Sequence, residues 1–368
     1  MKVLVTGANG FIGKNLVLRL RENVNIEVLT FVRGQSMLDL THLLVQADAV
    51  VHLAGENRPS DIEAFAKVNA GLTKFICKEL KSLCKTVPVL LASSTQVELG
   101  NPYGLSKFEA EEALRELADV NGNPVAIYRL PGVFGKWCKP NYNSVVATFC
   151  YNRAHDLPIY ISDISARVRL VYIEDVIDGF LNQLTCRWVG LTRPTICCEY
   201  SITLGELSDQ IEAFKNSRRN LLSERVGQGL IRALYATYLS YLPVHKFAYQ
   251  IPVHKDVRGL FVEMLKTPDT GQFSFFTAHP GITRGGHYHH TKTEKFLVIK
   301  GRARFGFRHM LSNEVYYIES DGDHPQIVET VPGWTHDITN IGQDEIVVML
   351  WANEIYDKAN PDTIASKV

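Results

Sequence analysis

Thr6-Gly7-Ala8-Asn9-Gly10-Phe11-Ile12-Gly13 is the segment that most narrows what this chain can fold into. It follows an apolar run, Lys2–Thr6, that reads as a strand. It opens an amphipathic stretch, Phe11–Arg21, that reads as a helix. Gly7 permits a tight turn, Gly10 lets the backbone approach a pyrophosphate, and Gly13 lets helix and strand pack closely. A helix N-terminus offers free N–H groups and partial positive charge to phosphates. A glycine-rich turn without a ligand is the competing reading, and the strand–turn–helix setting argues against it. The expected ligand is a dinucleotide held by Gly7, Asn9, Gly10, Phe11, Ile12 and Gly13.

The alternation continues along the chain. Glu27–Val32, Ala49–Ala54, Val87–Ser93 and Pro124–Arg129 read as strands, and Asp61–Cys84 and Tyr103–Leu117 as helices. Strands alternating with helices make a parallel sheet covered on both faces, an α/β Rossmann-type doubly wound fold. From about Pro252 the texture changes. Strand-like pieces follow closely: Gly259–Leu265, Gln272–Ala278, Glu294–Lys300, Arg302–Arg308, Glu314–Ile318, Gln326–Val331 and Glu345–Trp351. Short strands at this spacing indicate an all-β sandwich or barrel. The apolar stretch Leu221–Leu242 reads as a helix ended by Pro243. Two domains are therefore expected, 1–243 and 244–368, as the 368-residue length also suggests.

Composition excludes several classes. Formal net charge is +0, with no basic run to create the field a nucleic-acid partner needs. No run of about 18 apolar residues suggests a membrane span, and the first residues pass straight into a strand pattern rather than a signal peptide. The seven cysteines form no C-x-x-C pair and read as free thiols of a cytoplasmic protein. Nine of the twelve histidines lie from His245 onward, which points to different chemistry in the C-terminal part.

Two features bear on the first domain's chemistry. After the second strand, at Phe31-Val32-Arg33, no acid stands ready for a ribose 2′-OH, whereas Arg33 suits a 2′-phosphate. NADP(H) is expected over NAD(H); a solvated surface arginine is the alternative. Asn101-Pro102-Tyr103-Gly104-Leu105-Ser106-Lys107 opens a helix, with Asn101 as cap and Pro102 in the first turn. Tyr103 and Lys107 share one helix face. A nearby ammonium is expected to lower the phenol's pKa from about 10, making Tyr103 a proton donor to a carbonyl receiving hydride.

With the glycine segment, this Tyr–Lys pair resembles the extended short-chain dehydrogenase/reductase family over roughly residues 1–240. The resemblance implies a Ser or Thr that binds the substrate carbonyl: Ser94 in Leu91-Ala92-Ser93-Ser94-Thr95, with Thr95 second. It implies that Leu53 and Ala54 face the cofactor and that Asn69 is a structural asparagine. Arg129–Gly135 and Arg169–Val176 resemble segments beside the nicotinamide and nucleotide sugar. Only eight residues separate Ser94 from Tyr103, a shorter loop than the family's.

In the second domain, His287 and His289 are two apart and share a strand face. Glu294 begins the next apolar run, and His336 follows a later turn. Three imidazoles and a carboxylate converging in a barrel make an open metal site. Both segments resemble the motifs of the cupin superfamily. A metal-free barrel with ordinary histidines is the alternative. His290 alternates to the other face. Zinc, iron, manganese and nickel all accept this donor set; zinc is the first expectation because an epimerase needs a Lewis acid rather than a redox metal. Lys292, Tyr288 and His290 are candidate bases, and Arg258 a candidate phosphate ligand by resemblance.

The whole chain resembles the bifunctional capsular polysaccharide enzymes that epimerise and reduce a UDP-linked 4-keto sugar. That resemblance implies C3 epimerisation of UDP-2-acetamido-2,6-dideoxy-β-L-arabino-hexos-4-ulose in the cupin domain. NADPH reduction at C4 then gives UDP-2-acetamido-2,6-dideoxy-L-talose, on the route to UDP-N-acetyl-L-fucosamine. A homodimer is expected on family grounds. Rival readings are a reductase with a structural or dimerising cupin, a cupin acting on an unrelated substrate, and a non-catalytic dinucleotide sensor.

Overall fold

In β1 (Lys2–Thr6), β3 (Ala49–His52), β4 (Val89–Ser94) and β5 (Val125–Leu130) nearly every side chain is buried, whichever way it points. Strands like these need cover on both faces. In a computed structural model describing residues 1–57, 65–256, 259–262, 265, 272–354 and 359–368, they pair in parallel with β2 (Glu27–Phe31) and β8 (Leu191–Thr192). The six-stranded order is β2-β1-β3-β4-β5-β8. On one face Leu4, Val50, Leu91 and Ile127 pack with α2 (Met37–Gln46), α3 (Leu72–Ser82) and α4 (Pro102–Asn121). The opposite face meets α1 (Phe11–Arg21), which packs with α6 (Ile173–Thr185). A small sheet joins β6 (Gly132–Phe134), β7 (Arg167–Tyr172) and β9 (Glu199–Thr203).

The chain runs from β1 to β2 on one side, then returns to lay β3 on the other. Such a reversal opens a crevice at the carboxyl ends of the strands, where doubly wound folds bind ligands. The loops after β1 and β3 flank it.

The C-terminal strands are antiparallel in every described pair. One five-stranded sheet has the order β10 (Ala248–Gln250), β18 (Gln326–Glu329), β15 (Glu294–Lys300), β20 (Ile346–Ala352), β13 (Gln272–Ala278). The other has the order β17 (Val315–Asp321), β16 (Arg302–His309), β19 (Trp334–Asn340), β14 (Thr283–Tyr288), β21 (Ile364–Ala365). β11 (Val253–Asp256) pairs antiparallel with β12 (Gly259–Val262). This is a cupin-type all-β architecture.

Two compact units result, 1–144 with 168–202, and 145–167, which carries α5 (Val145–Ala154), with 203–368. Residues 203–243, grouped with the first domain on sequence, make their contacts in the second unit. Arg218 of α7 (Leu204–Asn220) ion-pairs with Glu329, as does Lys295 of β15. Tyr235 of α8 (Gly229–Leu239) lies 3.4 Å from the same carboxylate. Glu329 is fully buried, and a buried charge is tolerable only with such partners. The expected helix Leu221–Leu242 is shorter: Leu221 adopts φ 59° as the left-handed cap of α7, and helix resumes only at Gly229. Among the described residues, no helix is long and apolar enough to cross a membrane.

Candidate active site and metal centre

The turn after β1 is compressed against its surroundings. Gly7 sits at φ +68°, and a Cβ there would lie 2.7 Å from the Ala54 nitrogen. A Cβ on Gly13 would lie 2.2 Å from the Gly7 carbonyl, so Gly13 serves packing beneath the loop. Helix α1 starts after Gly10 with no side-chain cap and no acid in its first turn, leaving its N-terminal dipole for a ligand. Gly7, Asn9, Gly10, Arg33, Leu53 and Ala54 line a cavity of about 480 Å³. A further cavity of about 490 Å³ includes Phe11, Ile12, Ser94, Tyr103 and Lys107 with Asn9, Gly10, Arg33 and Leu53.

Buried polar groups hold these walls. The Thr6 hydroxyl oxygen accepts from the N–H groups of Leu53 and Ala54, each at 3.2 Å. Asn69 accepts from the Glu56 N–H at 2.7 Å and donates to the Glu56 carbonyl and Ser106 Oγ, both at 2.9 Å. The loop after β3 is thereby tied to helix α4. Arg33 is exposed and reaches Glu56 Oε2 at 2.6 Å, while the Tyr142 hydroxyl donates to Glu56 Oε1 at 3.2 Å.

Asn101 caps α4 by accepting from the Gly104 N–H at 2.7 Å, with Pro102 following. Tyr103 and Lys107 face the cavity from this helix, and Ser94 from the end of β4. Thr95 lines a different cavity of about 230 Å³ with Arg129 and Arg169. Lys107 is buried and donates to the Ala92 carbonyl at 3.0 Å; burial pushes its pKa down to about 8, against the pull of Glu111. Burial pushes Tyr103 up, opposed by a hydrogen bond with Ser94. This corrects the expectation of a phenol lowered by its lysine: desolvation of the phenolate outweighs the other influences.

In the barrel unit, ligand atoms of His287, His289, Glu294 and His336 all lie within 4.8 Å of one another. Glu294 Oε2 stands 3.1 Å from His289 Nε2 and 3.4 Å from His336 Nε2. In a tetrahedral site with bonds of about 2.0–2.1 Å, donor atoms stand about 3.3 Å apart, so these spacings fit one shared cation. His336 is buried with neither ring nitrogen well hydrogen-bonded, and a metal ion would satisfy Nε2, the nitrogen on the Glu294 side. Burial, reinforced by His336 and His289, lowers His287 to about 3 and so favours the neutral ligating form. Burial would raise Glu294, but its bonds with His289 and His336 prevail and hold it well below the ordinary carboxylate range. Lys292 Nζ lies 2.9 Å from Glu294 Oε1. His290 packs edge-on to Tyr288, 5.4 Å between ring centres. Arg258 lies outside the described residues.

Residues 3–186 match the NAD dependent epimerase/dehydratase family, and residues 254–364 the Polysaccharide biosynthesis C-terminal domain. The chain is 55% identical to UDP-2-acetamido-2,6-beta-L-arabino-hexul-4-ose reductase of Pseudomonas aeruginosa, over 100% of this chain and 99% of that protein. The chain belongs to this UDP-keto-sugar reductase family. Capsular polysaccharide assembling protein CapF of Staphylococcus aureus has a similar structure, with TM-score 0.69 and 40% identity over 100% of both chains. UDP-glucuronic acid 4-epimerase of Bacillus cereus, in complex with NAD, shares the fold at TM-score 0.53 and 21% identity, over 59% of this chain and 84% of that one. As a member of the reductase family, the chain is an oxidoreductase of polysaccharide biosynthesis with a nicotinamide cofactor.

Some contributors in this reductase were not singled out on sequence. Gly104 is one: a Cβ there would lie 2.1 Å from the Gln96 carbonyl, so only glycine lets α4 close against the turn that carries Ser94. Its place inside the Tyr-x-x-x-Lys segment was the available signal. Glu56 is another, an acid just after the cofactor-facing strand that engages Arg33.

Proposed function

We propose that this chain reduces the C4 ketone of UDP-2-acetamido-2,6-dideoxy-β-L-arabino-hexos-4-ulose with NADPH after inverting C3 of the same sugar in its cupin domain. The product is UDP-2-acetamido-2,6-dideoxy-L-talose. The observation that carries the reductive half is one cavity shared by the dinucleotide loop, Ser94, Tyr103 and Lys107. The nicotinamide, when bound, supplies the hydride that adds to C4 as the carbonyl π bond breaks. Tyr103 gives its phenolic proton to the carbonyl oxygen, which Ser94 holds by hydrogen bond. Burial of Tyr103 keeps that proton in place at neutral pH. Lys107, on the same helix face, offsets the phenolate that remains. Arg33, with no acid directly after β2, supports a 2′-phosphate and hence NADPH.

The convergence of His287, His289, Glu294 and His336 supports the epimerising half. Zinc, when bound there, supplies a Lewis acid toward the ketone oxygen and makes the neighbouring C3 proton removable. The protein's part is to keep His287 and His336 neutral and Glu294 charged. Lys292, Tyr288 and His290 are the candidates for moving the C3 proton. Reduction then removes the ketone and traps the epimer. We further propose a homodimer, which sedimentation at micromolar concentration tests.

The test is to incubate a UDP-4-keto sugar in deuterated water with and without NADPH. Deuterium should enter C3 without cofactor and fail to do so in His287→Ala, while Tyr103→Phe should abolish NADPH oxidation. A His287→Ala protein that still exchanges C3 and turns over normally would mean the cupin is structural. Equal use of NADH in wild type and Arg33→Ala would overturn the NADPH preference.

A further inference from the structure

The candidate metal centre is held from a distance by the C-terminal segment. The carboxylate of Asp362 is largely buried, and every bond it accepts from the backbone comes from one loop, the loop between His289 and Glu294. Its Oδ1 accepts from the His290 N–H at 2.8 Å. Its Oδ2 accepts from the Thr291 N–H at 2.7 Å, the Thr291 hydroxyl at 2.9 Å and the Lys292 N–H at 2.8 Å. Three consecutive N–H groups turned toward one anion form a concave cradle, a backbone shape that needs its anion. The same residue's main-chain carbonyl contacts Nδ1 of His289. A carbonyl only accepts, so the proton stands on Nδ1. The same contact turns Nε2 toward Glu294, 3.1 Å away.

The residues that follow secure the neighbouring ligand. Ile364 and Ala365 pair with Tyr288 and His287, and the Ser366 N–H donates to the Gly286 carbonyl at 2.8 Å. Arg308 of β16 donates to Ser366 Oγ at 2.9 Å and to the Lys367 carbonyl at 3.0 Å. Arg232 pairs with Glu354 at 2.8 Å and stands 3.9 Å from Asp362 Oδ2, which offsets the buried charge.

We infer that Asp362 is a positioning residue of the candidate metal centre: its carboxylate shapes the 290–292 loop while its carbonyl orients the ring of His289 through Nδ1. This deepens the metal reading proposed above and rests on it for its functional meaning. Without the carboxylate, three N–H groups lose their acceptor, the loop reorients, and His289 loses its fixed ring. Groups that orient metal ligands are worth about 10–100-fold in metal affinity.

The experiment compares wild type with Asp362→Ala and Asp362→Asn in the full chain. Asn keeps the shape but must aim an amide N–H₂ at a backbone donor, so it should behave as an intermediate. In metal-free protein, ¹⁵N-edited spectra should show a slowly exchanging Nδ1–H on His289, assigned by its loss in His289→Gln. That signal should be lost in Asp362→Ala and weakened in Asp362→Asn. Titration with Zn²⁺ alone should give affinity lower by about 10–100-fold in Asp362→Ala, and bound Co²⁺ should show an altered visible spectrum. A merely structural tie would lower the melting temperature and leave ring proton, affinity and spectrum unchanged; that result overturns the inference, as does an unchanged ring proton in either variant. If wild type binds neither ion, the metal reading fails instead, and the ring proton still decides the role of Asp362.

Discussion

At the scale of single residues, burial governs the reductive site. Tyr103 is kept protonated by desolvation, and Lys107 is pulled down to about 8 by the same effect. Tyr103→Phe removes the proton donor and leaves the ring packing. We expect kcat to fall by about 10²-fold or more with KM nearly unchanged, since general acids contribute about 10²–10⁴; steady-state NADPH oxidation measures it. Lys107 carries a pH signature. Its folded pKa of about 8 lies below the ordinary 10.5, so between those values the unfolded chain binds more protons and stability rises with pH. Below pH 8 the folded state bears the full cost of a buried ammonium. Lys107→Met should therefore stabilise the cofactor-free protein by roughly 1–3 kcal/mol at pH 7, the Ala92 carbonyl left behind offsetting part of the gain. The advantage should shrink steadily toward pH 10.5. Urea melts at pH 7 and 10 that show the same difference would contradict this.

At the scale of elements, the catalytic geometry depends on how closely β4, its following turn and α4 approach. Local propensity alone says that Gly104→Ala should strengthen α4 by about 1 kcal/mol. The structure says the reverse, because the new Cβ meets the Gln96 carbonyl and its carbon, both backbone atoms that cannot swing aside. We expect a loss of about 1–3 kcal/mol in a denaturant melt. We also expect a drop in kcat larger than the drop in folded fraction, since Tyr103 and Ser94 ride on the two elements forced apart. A stabilised, fully active Gly104→Ala protein would show that the turn yields freely.

At the scale of the molecule, compactness and chemistry divide the chain differently. On sequence the boundary is expected near residue 244, yet α7 and α8 bury their aromatic and charged faces in the barrel unit through Arg218, Tyr235 and Glu329. A fragment beginning at 244 leaves Glu329 with Lys295 but without Arg218 or Tyr235. Removing one partner of a buried ion pair costs about 3–5 kcal/mol. Such a fragment should melt well below one beginning at 203, or fail to stay monodisperse, as calorimetry and size-exclusion chromatography would report. Equal melting temperatures would mean that the helices are passengers.

Sequence alone determined what short-range pattern can encode. The strand–glycine–helix entry, the Tyr103–Lys107 spacing, the His287–His289 alternation and most strands of the larger sheets are read within windows of a few residues, where backbone periodicity and turn chemistry decide the outcome. Tertiary structure decided the rest. It set Ser94 rather than Thr95 in the cavity with Tyr103, made desolvation raise the phenol against its bond with Ser94, and gave α7 and α8 to the barrel unit. It also brought Asp362 to the loop of His289. Each of these depends on which distant surfaces meet and how much water they exclude, and a solitary aspartate near the chain end carries no local pattern that announces its partner.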